Sequence, residues 1–159
     1  MIEKIDDMIS IYIQNFFNNK KCIIDIMKFI SAPFNLYNYI AIIIILYNLN
    51  IITNHQIMIL FYTMIILTVI KFSVRRIRPC NNNIMINKYG DLESFDIYSF
   101  PSGHVINSYL ITAIIYKKFN VNLMWVPYLV GISRIYLGVH YTTDVIGGLI
   151  IGYIISKYL

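Results

Sequence analysis

From Gln56 to Pro79 the chain reads QIMILFYTMIILTVIKFSVRRIRP. No charge and no helix breaker interrupts it before Lys71, and it closes on Arg75, Arg76 and Arg78, followed by Pro79. A helix needs about 20 mostly apolar residues to cross the hydrocarbon core, and a basic cluster at its end is a common anchor at one membrane face. This segment, Gln56 to Val74, therefore reads as a membrane helix. Four more apolar segments flank it. One runs from Asn35 to Ile52 and precedes it. After a polar loop from Arg75 to Phe100 come Pro101 to Tyr116, stopped by Lys117 and Lys118, and then Val121 to Gly138, with Pro127 expected to kink it. The last runs from Thr142 to Leu159, where Gly148 and Gly152 allow close helix contact.

Composition agrees with this outline. Of 159 residues, 58% are hydrophobic and 13% charged, about half the charge of a soluble domain, and mean hydropathy is +0.63. A water-soluble globule of this size could not bury so much apolar surface. Disorder is excluded by the same apolar excess, and two cysteines without metal-ligand spacing do not make a disulfide scaffold. The expected class is an all-α integral membrane helical bundle: about five transmembrane helices plus an N-terminal amphipathic helix. In that helix Ile2, Ile5, Ile9, Tyr12 and Phe16 recur at helical spacing, with Asp7, Gln14 and Asn18 on other faces. It would lie in the interface or pack on the bundle. Residues 1–33 are read as this interfacial segment and residues 34–159 as the membrane domain, and no removable signal peptide is evident. The net charge of +5 fits basic loops better than nucleic acid, since no RNA-binding motif accompanies it.

Alternation of direction places the end of the second segment, the start of the third, the end of the fourth and the start of the fifth on one face. The unusual polar residues fall at those four ends. Lys71 and Arg78 are seven apart, two helical turns, so both can point to one side. Alone, they are a topology anchor more often than a phosphate site. Pro101-Ser102-Gly103-His104 begins a helix, where free N–H groups and the dipole favour an anion. Gly103 admits close approach to the backbone, and His104 has a proton to give near neutral pH. A capped helix start with an incidental histidine is an equal reading of that tetrapeptide. In the third block, Arg134 near the end of an apolar segment is costly unless it has a use. His140 and Asp144 are four apart, one helical turn, so the carboxylate can hold one ring nitrogen and leave the other to attack. By itself that pair fits a structural tie slightly better.

Together, three cations, two histidines and a carboxylate at one face match what phosphoryl transfer through a phosphohistidine requires. The blocks Lys71-x6-Arg78-Pro79, Pro101-Ser102-Gly103-His104 and Ser133-Arg134-x5-His140-x3-Asp144 resemble the full signature of the type 2 phosphatidic acid phosphatase (PAP2) superfamily. The resemblance spans Gln56 to Tyr158. It implies that His140 is the nucleophile, Asp144 its orienting group and His104 the general acid. It also implies that Lys71, Arg78, Ser102, Gly103 and Arg134 bind phosphate, with no metal and no cofactor. A narrower likeness lies in Val74-Arg75-Arg76-x-Arg78-Pro79-x-x-Asn82, Ser99-Phe100-Pro101, Leu137-Gly138 and Thr143-Asp144-Val145. These are similar to the polyisoprenoid (presqualene-type) diphosphate phosphatases, and bacterial undecaprenyl-diphosphate phosphatases share much of the wording.

The implied activity is hydrolysis of a lipid phosphate or isoprenoid diphosphate in the bilayer. A lipid phosphotransferase of the same fold and a non-catalytic membrane scaffold are the alternatives. Arg75 and Arg76 are expected to be headgroup anchors, or to hold a second phosphate. Asp91, Glu93 and Asp96 read as solvated loop residues. Of the 13 Lys and Arg, all but Lys117, Lys118 and Lys157 fall on the face of the site. The positive-inside rule would make that face cytoplasmic, whereas the resemblance implies an extracytoplasmic site.

Overall fold

The computed structural model describes residues 2–16, 20–81 and 97–159. Asn82, Asp91, Glu93 and Asp96, discussed above, lie outside them. The described residues form seven α-helices and no strand: α1 (Ile2–Phe16), α2 (Lys21–Ser31), α3 (Leu36–Asn48), α4 (Asn54–Val74), α5 (Gly103–Phe119), α6 (Val126–Tyr136) and α7 (Thr142–Ser156). One of the helices α3 to α7 occupies each of the five expected segments, although α4 begins two residues earlier and α5 runs through Lys117 and Lys118 to Phe119.

Helix boundaries follow local chemistry. Asn35 caps α3 by accepting from Asn38 N–H at 2.9 Å. Thr53 and Gln56 form a reciprocal capping box that starts α4 at Asn54, ahead of the expected boundary. Pro127 does not kink a helix; it sits in the first turn of α6. There the N–H it lacks would have had no intrahelical partner, so residues 121–125 stay outside the helix.

Burial sorts the helices by role. On α4 the buried residues Leu60, Thr63, Leu67 and Lys71 make one stripe. Phe61, Tyr62, Ile65, Ile66, Val69 and Phe72 are exposed around the rest, as expected of a helix facing lipid. With 21 residues, α4 is long and apolar enough to cross a membrane alone; the α2 and α3 segments qualify only together and are bent by 52°. Helix α5 is the opposite case. It is enclosed by α6 and α7 and buries Asn107, Ser108 and Thr112 among its apolar residues. Ser108 and Thr112 bond back to the carbonyls of Val105 and Ser108 at 2.8 and 2.9 Å, and Asn107 donates to Phe34 O at 3.2 Å. These side-chain donors are thus met inside the bundle, while Asn107 Oδ1 is buried without a partner.

The α5–α7 contact depends on glycine. A Cβ at Gly152 would stand 2.8 Å from Tyr109 Cβ, and one at Gly148 would stand 3.0 Å from the backbone oxygen of Ser102. Gly152→Val should therefore force α5 and α7 apart and cost about 1–3 kcal/mol, read as a thermal midpoint several degrees lower in detergent. Ile150→Val, on the exposed side of the same helix, should leave the midpoint nearly unchanged.

Candidate active site

The end of α4 and the starts of α5 and α7 are drawn to the end of α6 by short backbone links. After Val74 the chain turns at Arg75, a residue in the left-handed region (φ 52°), whose N–H bonds to Lys71 O at 2.9 Å. The helix thus ends before Pro79 can end it. Arg78 is consequently not two helical turns above Lys71, as the spacing suggests. It lies in the extended arm beyond the turn, where Ile77 pairs with Tyr98 and Ser99 N–H bonds to Arg76 O at 2.8 Å. The two arms of the loop are joined there, next to the start of α5. Ser102 N–H then bonds to Asp144 O at 3.1 Å, which ties the start of α5 to that of α7.

The spacing from Arg134 to His140 also has a local cause. Helix α6 closes in a Schellman motif: Gly138 N–H bonds to Ile135 O at 3.0 Å and Val139 N–H to Arg134 O at 3.2 Å. Gly138 has a φ of 71°, which a side chain would strain. The turn folds the chain back so that His140 N–H reaches Arg134 O at 3.4 Å. Arg134 and His140 thereby come to one place, and His140 precedes α7 rather than sharing its first turn with Asp144.

Lys71, Arg78, Arg134 and His140 are all buried, at 9%, 4%, 5% and 1% exposure. Protein oxygens hold each cation: Lys71 Nζ donates to Tyr98 O at 3.3 Å, Arg78 Nη1 to Val139 O at 3.3 Å and Arg134 Nη1 to Ser31 Oγ at 3.3 Å. None of these partners is a carboxylate. The three cations interact electrostatically with both His104 and His140. Burial pushes the His140 imidazole well below its ordinary pKa, and Arg78, Arg134 and Lys71 push it the same way. Ser102 Oγ is buried without a hydrogen-bond partner. A Cβ built on Gly103 meets nothing within 4 Å, so there is room above the first-turn N–H groups of α5, which a helix leaves unsatisfied. His104 is half-buried on that same turn.

Behind His140 stands a second group. Asp144, fully buried, accepts from Tyr141 N–H at 2.8 Å through Oδ2 and from Arg76 Nη1 at 2.7 Å through Oδ1. His140 Nδ1 lies 3.6 Å from Asp144 Oδ2, an electrostatic contact beyond hydrogen-bond reach. Arg76 is not a headgroup anchor. Its guanidinium turns inward over the Tyr141 ring, 4.0 Å from the centroid, and pairs with both Asp144 and Asp6. Arg75 remains exposed. Asp6 and Ser31 are contacts that the sequence reading missed. The signal for Asp6 was its place on one helical face with Ser10 and Gln14; Ser31 has no comparable signature.

A family model described as the PAP2 superfamily matches residues 53–159. The chain belongs to the PAP2 superfamily. It is 35% identical over 98 residues to phosphatidylglycerophosphatase B of Bacillus subtilis (strain 168), covering 53% of this chain and 44% of that protein. It is 42% identical over 67 residues to the lipid A 4'-phosphatase of Porphyromonas gingivalis, covering 39% of this chain and 28% of that protein. Both matches span less than half the length of the relative. Among solved structures, the transmembrane PAP2-type phosphatidylglycerolphosphate phosphatase of Bacillus subtilis superposes with a TM-score of 0.79 at 23% identity, covering 98% of this chain and 83% of that one. Aquifex aeolicus LpxE gives 0.68 at 22% identity, covering 94% and 91%. This PAP2 chain therefore has the fold of a multi-pass integral membrane protein.

The buried neutral His140 has a consequence for stability. An unfolded histidine takes up a proton near pH 6.5, while the folded one resists it. Stability is then full above that pH and falls as the solution is acidified through the window below it. The thermal midpoint should be level from about pH 7 to 8 and decline below about 6.5, and His140→Gln should flatten the decline.

Proposed function

We propose that this chain is a membrane phosphatase that releases phosphate from a lipid phosphate ester through a phosphohistidine on His140. The observation that supports it is the convergence of four helix ends, which puts two histidines beside the three buried cations Lys71, Arg78 and Arg134. Such a place favours a multiply charged anion.

In the first step neutral His140 attacks phosphorus. The bond from phosphorus to the lipid oxygen breaks, and that oxygen keeps the electron pair and takes a proton from His104. Water then attacks the phosphohistidine, giving its proton to the now basic His104, and inorganic phosphate leaves with His140 restored. Lys71, Arg78 and Arg134 would hold the equatorial oxygens, with Ser102 and the Gly103 amide as further donors. Asp144 would fix the imidazole, tightening its 3.6 Å contact when substrate binds. Residues 34–159 carry all of these groups. Residues 1–33 are proposed to lie along the interface, with Ile5, Met8, Ile9, Tyr12 and Phe16 of α1 outward.

The relatives named for phosphatidylglycerophosphate and lipid A support a lipid phosphate as substrate. Isoprenoid diphosphates form the finer class suggested by the wording around Arg76. The engagement of Arg76 by two carboxylates counts against its holding a second phosphate.

Purified protein in detergent should release inorganic phosphate from phosphatidate, phosphatidylglycerophosphate or farnesyl diphosphate with excess EDTA present. His140→Ala, folded by size-exclusion and melting criteria, should be inactive, a loss of at least about a thousandfold. Full activity in that variant would overturn the phosphohistidine. Loss in EDTA that Mg²⁺ restores would overturn a site built from side chains alone.

A further inference from the structure

Helix α1 is amphipathic in an uncommon sense. Asp6, Ser10 and Gln14, spaced four apart along one face, are buried at 2%, 0% and 0% exposure, while Met8, Tyr12 and Phe16 are exposed at 67% or more. The polar face meets the protein and the apolar face leaves it. Each buried residue has a partner across the bundle. Gln14 Nε2 donates to Ile135 O at 3.2 Å, and Ser10 Oγ lies 3.5 Å from Thr142 Oγ1. Asp6 has the densest set. Its Oδ1 accepts from Thr143 N–H at 3.1 Å; its Oδ2 accepts from Arg76 Nη2 at 2.6 Å and from the Thr143 hydroxyl.

Arg76 thereby bridges two acids. Nη2 goes to Asp6 and Nη1 to Asp144, with the Thr143 hydroxyl also accepting from Nη1. The charges of the three groups, one cation between two carboxylates, leave a net negative charge next to His140. Were Arg76 paired with Asp144 alone, that carboxylate would be neutralised at the point where an imidazole must be held. The fork geometry of guanidinium allows both pairs at once, and stacking on Tyr141 fixes its plane.

We propose that Asp6, on the N-terminal helix, is a positioning residue for the phosphoryl-transfer site: it holds Arg76 so that Asp144 keeps the charge and position with which it orients His140. This rests on the phosphatase reading above. Asp6 acts through Arg76, away from the phosphate cations, so its removal affects the chemical step more than substrate capture. The bland account is a staple that only fastens α1 to the bundle. The two differ in what they change: a staple affects melting, whereas a positioning residue affects kcat in a variant that still melts normally.

The test is a double-mutant cycle on the full chain in detergent micelles, with whichever of phosphatidate, phosphatidylglycerophosphate and farnesyl diphosphate the wild type turns over fastest as substrate. Asp6→Asn keeps an acceptor for Thr143 N–H and removes the charge. It should lower kcat about 10- to 100-fold, with KM changed by less than threefold and the melting point close to that of the wild type. Arg76→Lys keeps one cation but cannot bridge two acids. It should show the same split, and it serves as the readout if Asp6→Asn does not fold. The double variant should be no worse than Arg76→Lys alone, because the two residues act along one path. Independent, additive losses would overturn the inference, as would wild-type kcat in either folded single variant. A wild type that releases no phosphate would instead bring down the phosphatase reading, and this inference with it. Turnover in the wild type with an undiminished Asp6→Asn would bring down the inference alone.

Discussion

Three cations buried around one small site repel one another in a medium that screens them weakly. Lys71, Arg78 and Arg134 come from the end of α4, the extended arm beyond it and the end of α6, and the fold has to hold them against that repulsion. Among the described contacts, neutral oxygens bond to each of them: Tyr98 O, Val139 O and Ser31 Oγ. A carboxylate at any of these places would bind the cation more tightly and leave less charge for an anion. Much of the local architecture follows from this choice. The left-handed turn at Arg75, the bridge from Ile77 to Tyr98 and the Schellman closure of α6 each bring a carbonyl or a cation to its partner.

Two carboxylates of the described residues pair with a different cation. Asp144 and Asp6 bind Arg76, so the proposed site has a cationic part and an anionic backing. The His140 imidazole is buried, and desolvation and the cations favour its neutral form, the form that the proposed attack on phosphorus needs. The backing opposes that trend, since its negative charge would favour the imidazolium-like charge that the proposed phosphohistidine develops. A neutral nucleophile before attack and a supported cation after it are compatible demands only if the two sets of charge are separate.

Much of the fold was legible because lipid-facing helices declare themselves. On α4 an unbroken apolar run signals its environment, and direction alternation then puts the motif residues on one face. Details of helix ends were less legible, because spacing alone does not reveal where a helix stops. Lys71 and Arg78 look like a two-turn pair, and His140 and Asp144 like a one-turn pair. In both cases a turn intervenes, at Arg75 and before Thr142. Pro127 has two lawful places, interior kink or first turn, and the choice depends on where the preceding loop lets the helix begin. Arg76 illustrates a further limit: an arginine in a basic cluster looks the same whether it meets lipid headgroups or folds inward onto two acids distant in sequence.

Residues 1–33 were the least legible part, and the reason is physical. An amphipathic helix is normally read with its apolar face toward the protein and its polar face toward water. Beside a bilayer the inside and outside exchange solvents: lipid takes the apolar face, and the polar face can turn toward a charged site in the bundle. The period of α1 is unchanged by this inversion, so periodicity shows the helix and not which side is buried. In the fold, Asp6, Ser10 and Gln14 are buried. They form the side by which α1 is joined to α6 and α7, and through Arg76 to the carboxylate beside His140. If α1 sits in the interface as proposed, it would link the position of the bilayer surface to the geometry of the group that would attack the lipid.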